Sequence, residues 1–185
     1  MQKILITGGA GFIGFYISNL LVKNNIIYSI DNINSYYSKK IKLKRIKKLK
    51  NNKNFFFKKI DVIKTKTLIK YLKNKKINLI IHLAAQAGVM KSISHPNIYF
   101  KSNIEGFYSI LEVARILQIP NLIYASSSSI YGEFNNEKLK EDKVNKLPKN
   151  FYGFSKYINE NFAKFYKDQH KINSVGLRFF TVYGA

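Results

Sequence analysis

Short apolar runs alternate along this chain with longer amphipathic stretches, and that alternation predicts a layered α/β arrangement before any single residue is weighed. Lys3 to Thr7 is a continuous apolar run ending at glycines, which predicts a strand buried on both faces. Phe12 to Lys23 then places Phe12, Ile13, Phe15, Tyr16, Ile17, Leu20 and Leu21 on the wide apolar face of a helix. Ile26 to Ile30 predicts a second strand, which ends at Asp31. Ile41, Leu43, Ile46 and Leu49 predict an amphipathic helix with a lysine-covered outer face, leading into a strand from Phe55 to Ile60 that Asp61 and Val62 close. A short helix is expected from Thr67 to Asn74, and a strand ending in small residues from Asn78 to Ala85. Further helices are expected from Tyr99 to Leu117 and from Tyr152 to Asp168, with strands from Asn121 to Ala125 and Ser174 to Arg178. Neither an internal repeat nor a Pro/Gly-rich linker interrupts the pattern, so residues 1–185 read as one domain with a doubly wound, Rossmann-like parallel sheet.

In such a sheet, ligand chemistry belongs at the C-terminal ends of the strands. The first of these ends carries Gly8-x-x-Gly11-x-x-Gly14, where glycine permits a tight turn, close approach of backbone to a pyrophosphate, and packing of helix on strand. The unpaired amides that open the following helix, around Phe12 and Ile13, face the phosphates. Asp31 lies 17 residues after Gly14, where a carboxylate can accept hydrogen bonds from an adenosine ribose; that favours NAD over NADP. Asp31 also reads as the opening of a turn, Asp31-Asn32-Ile33-Asn34. Farther along, Gln86, Ala87 and Gly88 begin a loop that can border nicotinamide and sugar, while His82 reads as a packed strand residue.

The strand ending at Ala125 runs into Ser126-Ser127-Ser128-Ser129, which brings hydroxyls to the sheet edge. Tyr152 and Lys156 are four residues apart and therefore share one helix face. An ammonium near a phenol favours phenolate, so Tyr152 reads as a general base, Lys156 as its electrostatic tuner and a ribose ligand, and a serine as the substrate's hydrogen-bond partner.

Composition changes this picture little. The net charge is +22, but the 29 lysines stand against only 3 arginines and are accompanied throughout by asparagine and isoleucine. A general compositional bias accounts for that excess more simply than specific nucleic-acid readout, which leans on the guanidinium fork. No run is long and apolar enough for a membrane span, there is no cysteine, and no apolar leader precedes the first strand; a cytoplasmic location is expected.

Taken together, Thr7 to Gly14, Asp31 to Tyr37, His82 to Val89, Ser126 to Gly132, Tyr152 to Lys156 and Arg178 to Gly184 resemble the extended short-chain dehydrogenase/reductase family. Within it, the likeness is greatest to the UDP-glucuronate 4-epimerase group of nucleotide-sugar epimerases. The resemblance implies tightly held NAD and a reaction at sugar C4 through a 4-keto intermediate. It implies Ser127 as the catalytic hydroxyl beside Tyr152 and Lys156, with Ser129, Gln86 and Thr181 on the substrate. On the cofactor it implies Gly8, Gly11, Phe12, Ile13, Gly14, Asp31, Asn32, Asp61, Val62, Leu83, Ala84, Ala85 and Asn103, besides Tyr152 and Lys156, and it implies no metal ligand. It also implies a homodimer built on the helices Tyr99 to Leu117 and Tyr152 to Asp168. Two departures stand out. Met90 occupies a position where the group often has arginine, with Lys91 next to it as a substitute cation, and family members continue much further to build a C-terminal substrate lobe, which the resemblance implies is missing here. The dehydratase branch normally carries an Asp-Glu pair where this chain has Ser128-Ser129.

Overall fold

A computed structural model describes residues 1–132, 139–142 and 147–184. Six parallel strands form one sheet: β1 (Lys3–Thr7), β2 (Ile26–Asp31), β3 (Phe55–Lys59), β4 (Leu79–His82), β5 (Asn121–Ser127) and β6 (Asn173–Phe179), in the order β3-β2-β1-β4-β5-β6. This is the doubly wound Rossmann order, and its direction reverses between β1 and β4. The switch leaves a crevice above Thr7 and His82, which are paired in register.

The central strands are apolar on both faces because helices cover both. Leu5, Ile30, Ile80 and Leu122 pack with Leu68 and Leu72 of α3 (Thr65–Leu72) and with Phe107, Ile110 and Leu111 of α6 (Gly106–Ile116). On the other side Ile4, Ile6, Ile27 and Ile81 meet Phe15 of α1 (Phe12–Leu21) and Leu49 of α2 (Lys39–Lys50). The period-two alternation Ile4/Leu5/Ile6 distributes one strand between the two layers.

Several boundaries move from their expected places. Helix α1 ends at Leu21, β3 at Lys59 before Asp61 and Val62, and β4 at His82, so that Leu83 to Ala85 belong to the loop above the sheet. In the lysine-rich helix α2 the buried face is Lys42, Ile46 and Leu49, whereas Ile41 and Leu43 are 53% and 56% exposed. Lys42 can occupy the inner face because its Nζ reaches Asn34 Oδ1 at 2.8 Å, which satisfies the ammonium under the helix. The expected helix from Tyr99 to Leu117 is three pieces, α5 (Pro96–Tyr99), a π-helical turn (Phe100–Glu105) and α6. A short helix α4 (Val89–Ser94) has no counterpart in the sequence reading. Helix α7 runs over Phe151–His170, preceded by a 3-10 turn at Ser128–Tyr131.

Candidate active site

At the end of β1 the chain turns through Gly8, whose φ of +71° is left-handed; a Cβ there would lie 2.8 Å from the amide nitrogen of Ala84. Gly8 and Gly9 donate to the carbonyl of Ile30, and Gly11 donates back to Gly8, so the turn is tied to the neighbouring strand. Gly14 lets α1 press against this turn, since a Cβ would collide with the Gly8 carbonyl oxygen. Gly11 caps α1 without any side-chain hydrogen bond, leaving the first-turn amides without a protein side-chain acceptor. Gly8, Gly11, Phe12, Ile13 and Gly14 all line one cavity of about 680 Å³. Backbone amides at a helix N-terminus on a cavity wall fit an anionic, phosphate-bearing group.

Asp31 is buried at the end of β2 and accepts from two backbone amides, Ala10 N to Oδ2 at 3.2 Å and Ile33 N to Oδ1 at 2.8 Å. Each oxygen keeps further acceptor capacity, and Asp31 lines the same cavity. Asn32 donates to Asp61 Oδ2 at 2.9 Å and so joins the β2 and β3 ends, beside Val62. Tyr36, Tyr37, Lys42 and Arg45 complete this end. No local pattern in the sequence distinguishes Lys42 and Arg45 from their lysine neighbours.

Above β4, Leu83, Ala84, Ala85 and Gln86 form the opposite wall. Thr7 Oγ1 accepts the amides of Leu83 and Ala84 at 3.2 and 3.1 Å, so its proton goes to His82 Nδ1, 2.8 Å away. The proton of the neutral His82 ring is therefore on Nε2. Burial, and secondarily Lys156, pushes His82 down to about 3, which keeps it uncharged. Its packing beneath the site agrees with a structural residue.

Asn103 stands behind the Gln86 wall, its buried amide accepting from Gln86 N at 2.7 Å and donating to Gln86 O and Ser155 Oγ at 3.1 Å each. It holds the Gln86 backbone against α7. The π-helical turn that carries it brings its side chain to that loop.

Ser127 ends β5, and its Oγ accepts from Ser129 N at 3.1 Å. Tyr152 and Lys156, in the first two turns of α7, lie on the same cavity as Ser127, Ser129, Gln86 and Thr181. The fully buried Lys156 donates to Ala125 O at 2.7 Å, and burial lowers its pKa to about 8. Burial raises the Tyr152 pKa, a hydrogen bond from Ser127 opposes that rise, and Tyr37 adds to it. Lys156 Nζ is engaged at the Ala125 carbonyl and sits 6.0 Å from the Tyr152 ring centroid. Lys91, the substitute cation beside Met90, lies over the Tyr36 ring at 4.8 Å and does not line the cavity. Among the described residues no three His, Cys, Asp or Glu side chains are grouped to hold a metal ion.

Thus the glycine turn, an acid that can hold a ribose, and a Ser-Tyr-Lys group face one another across a single crevice. The family model described as NAD dependent epimerase/dehydratase family matches residues 4–185. The chain is 42% identical to the protein CapI of Staphylococcus aureus over 99% of its own length and 55% of that protein. It is 34% identical to a UDP-glucuronate 4-epimerase of Thermodesulfobacterium geofontis, over 100% of this chain and 57% of the relative. The solved structure of UDP-glucuronic acid 4-epimerase from Bacillus cereus, in complex with UDP-glucuronic acid and NAD, superposes with a TM-score of 0.91 at 34% identity, covering 99% of this chain and 58% of the other. The chain therefore spans little more than half the length of the curated relatives it matches. Matched along nearly its whole length in sequence and in fold, the chain belongs to the NAD dependent epimerase/dehydratase family.

Proposed function

We propose that residues 1–185 form the NAD-binding domain of a UDP-sugar 4-epimerase that interconverts UDP-glucuronate and UDP-galacturonate. The observation that carries this reading is the meeting of Ser127, Tyr152 and Lys156 in the cavity that also holds the Gly8–Gly14 turn and Asp31. In this reading NAD, when bound, supplies the acceptor and later the donor of the C4 hydride. The α1 amides at Phe12 and Ile13 receive the diphosphate, and the free lone pairs of Asp31 receive the adenosine ribose hydroxyls. Leu83 to Ala85 present small apolar surface at the sheet edge, where a flat ring can lie close. Ser127 hydrogen-bonds the sugar hydroxyl and Tyr152 Oη takes its proton as the C4 hydride departs. The 4-keto sugar then presents its other face, and the returning hydride and proton give the epimer with no net oxidation. Lys156 contributes as a ribose ligand and as the residue anchoring α7 to the β5 end.

The same oxidation opens a 4,6-dehydratase reaction, but Ser128 and Ser129 line the cavity where elimination needs an acid and a base. The UDP-glucuronate assignment draws on the relatives of that name. Exposed Phe100, Tyr108, Ile116 and Phe165 support the homodimer along α6 and α7, and a cytoplasmic location remains part of this proposal.

The spanned share of the relatives favours a second reading, a unit that binds NAD but needs the remaining part of its relatives' length for turnover. Both are tested on the purified chain by an NAD titration and by chromatographic assay of UDP-galacturonate formed from UDP-glucuronate. Turnover lost in Tyr152→Phe, with NAD binding retained, is the expected result; NAD binding without turnover selects the second reading, and absence of both removes the proposal.

A further inference from the structure

The positive charge is not spread evenly along the chain. Residues 1–104 carry 21 lysines and arginines against Asp31 and Asp61 alone, while residues 105–185 carry 11 against 8 acids. A uniform compositional bias would charge both halves alike. The two acids of the first half, Asp31 and Asp61, both line the cavity at the ends of β2 and β3.

The densest part of that charge lies on one surface. Helix α2 exposes Lys39, Lys40, Lys44, Lys47, Lys48 and Lys50, and packs beside β3, an edge strand of the sheet, where exposed Lys59 shares the α2-side face of Phe55 and Phe57. Lys53 is exposed in the connection between them. None of these eight is in a salt bridge among the described residues, and residues 32–60 contain no acid at all. On the helix, Lys40, Lys44 and Lys47 point away from the buried row Lys42, Ile46 and Leu49, while Lys48, exposed at the edge of this face, reaches its ammonium over the Phe15 ring at 5.9 Å. Leu43 flanks them, 56% exposed.

We infer that the outer face of α2, continued by the lysines around β3, is a docking surface for an anionic membrane. Lysine suits that partner: it is a flexible point charge that answers a smeared surface potential, and clusters of about four to eight basic residues on an amphipathic helix bind anionic lipid. The surface is the convex outside of a helix with one arginine, Arg45, and that arginine is turned partly inward over Phe12 and Phe15. It lacks the exposed guanidinium forks and the groove that would favour nucleic acid. Leu43 supplies the shallow apolar contact that accompanies headgroup attraction at an interface. This binding is peripheral, and it is independent of the catalytic reading above.

Flotation of the purified chain with vesicles of about one-third phosphatidylglycerol in phosphatidylcholine tests it, beside pure phosphatidylcholine vesicles and a duplex DNA. The variant Lys40→Glu/Lys44→Glu/Lys47→Glu/Lys48→Glu is compared with Lys66→Glu/Lys70→Glu/Lys73→Glu/Lys76→Glu, which changes net charge equally on or next to α3, across the sheet. The chain is expected to float only with the anionic vesicles, and less at high salt. The α2 variant should bind at least about 30-fold more weakly, and the α3 variant within about threefold of the parent. Circular dichroism checks folding, and Lys44→Ala/Lys47→Ala gives a milder version with a loss of about tenfold if the quadruple variant does not fold. Equal losses in the two quadruple variants would reduce the effect to net charge and overturn the proposal. So would failure to float with anionic vesicles, or binding to DNA alone that the α2 changes abolish, which would assign the face to nucleic acid.

Discussion

The main-chain amide of Tyr152 donates to the Oγ of Ser92, 3.1 Å away and 60 residues earlier in the chain. Ser92 is fully buried in α4 and passes its own proton to Val89 O at 2.6 Å. Asn150 meanwhile caps the next amide of α7, Gly153, at 2.8 Å. Two first-turn donors of the helix that carries the phenol are thereby satisfied from different parts of the fold, which sets where Tyr152 begins.

Ser92→Ala should therefore loosen that start. The expected result is about a tenfold fall in turnover with NAD affinity unchanged within a fewfold, from the loss of a buried hydrogen bond. Steady-state kinetics and an NAD titration on the same variant check it; an equal fall in both would point to general unfolding.

Gly8→Ala places a side chain at φ +71° and 2.8 Å from the Ala84 amide nitrogen. The cost is roughly 1–3 kcal/mol of stability, and NAD binding should weaken with it because the turn and the β4 loop must part. Thermal melts with and without NAD measure both effects.

Lys156 is held at about 8 by burial, below its ordinary 10.5. The unfolded chain thus binds more protons between these values, so this residue makes stability rise as pH increases from 8 to 10.5, and the penalty is greatest below 8. Lys156→Met should be more stable than the parent near pH 7, with the gap closing toward pH 10, while turnover is lost. Denaturant titrations at several pH values read the gap.

His82 behaves in the same sense at lower pH. Neutral in the fold down to about 3 and protonated at 6.5 when unfolded, it contributes stability above 6.5 that is lost as pH falls toward 3. His82→Asn should flatten the acid limb of the stability curve in that window, as followed by circular dichroism.

The parts of this account that sequence made legible are those where spacing alone enforces geometry. Gly8, Gly11 and Gly14 read as a turn because no other residue tolerates such backbone approach, and Tyr152 with Lys156 share a helix face by their separation of four. The apolar runs of β1 and β4 announced a sheet covered on both sides. What stayed hidden depends on partners distant in the chain. Helix α4 buries only Ser92 of its six residues, so it has no apolar stripe to find. Lys42 could not be recognised as inward-facing without Asn34 beneath it, and its burial is what turns Ile41 and Leu43 outward. The bond between Asn103 and the Gln86 amide depends on a π-helical turn that no spacing announces. Burial and Ser127, which push the Tyr152 pKa in opposite directions, are not visible in the spacing to Lys156.

The most direct test of transient oxidation at C4 is to supply UDP-glucuronate carrying deuterium on C4 to the NAD-loaded chain and examine the products by proton NMR. The account predicts UDP-galacturonate that retains the deuterium at C4, and none from Tyr152→Phe. Epimer in which solvent hydrogen has replaced the label, or a dehydrated sugar in place of the epimer, would contradict it.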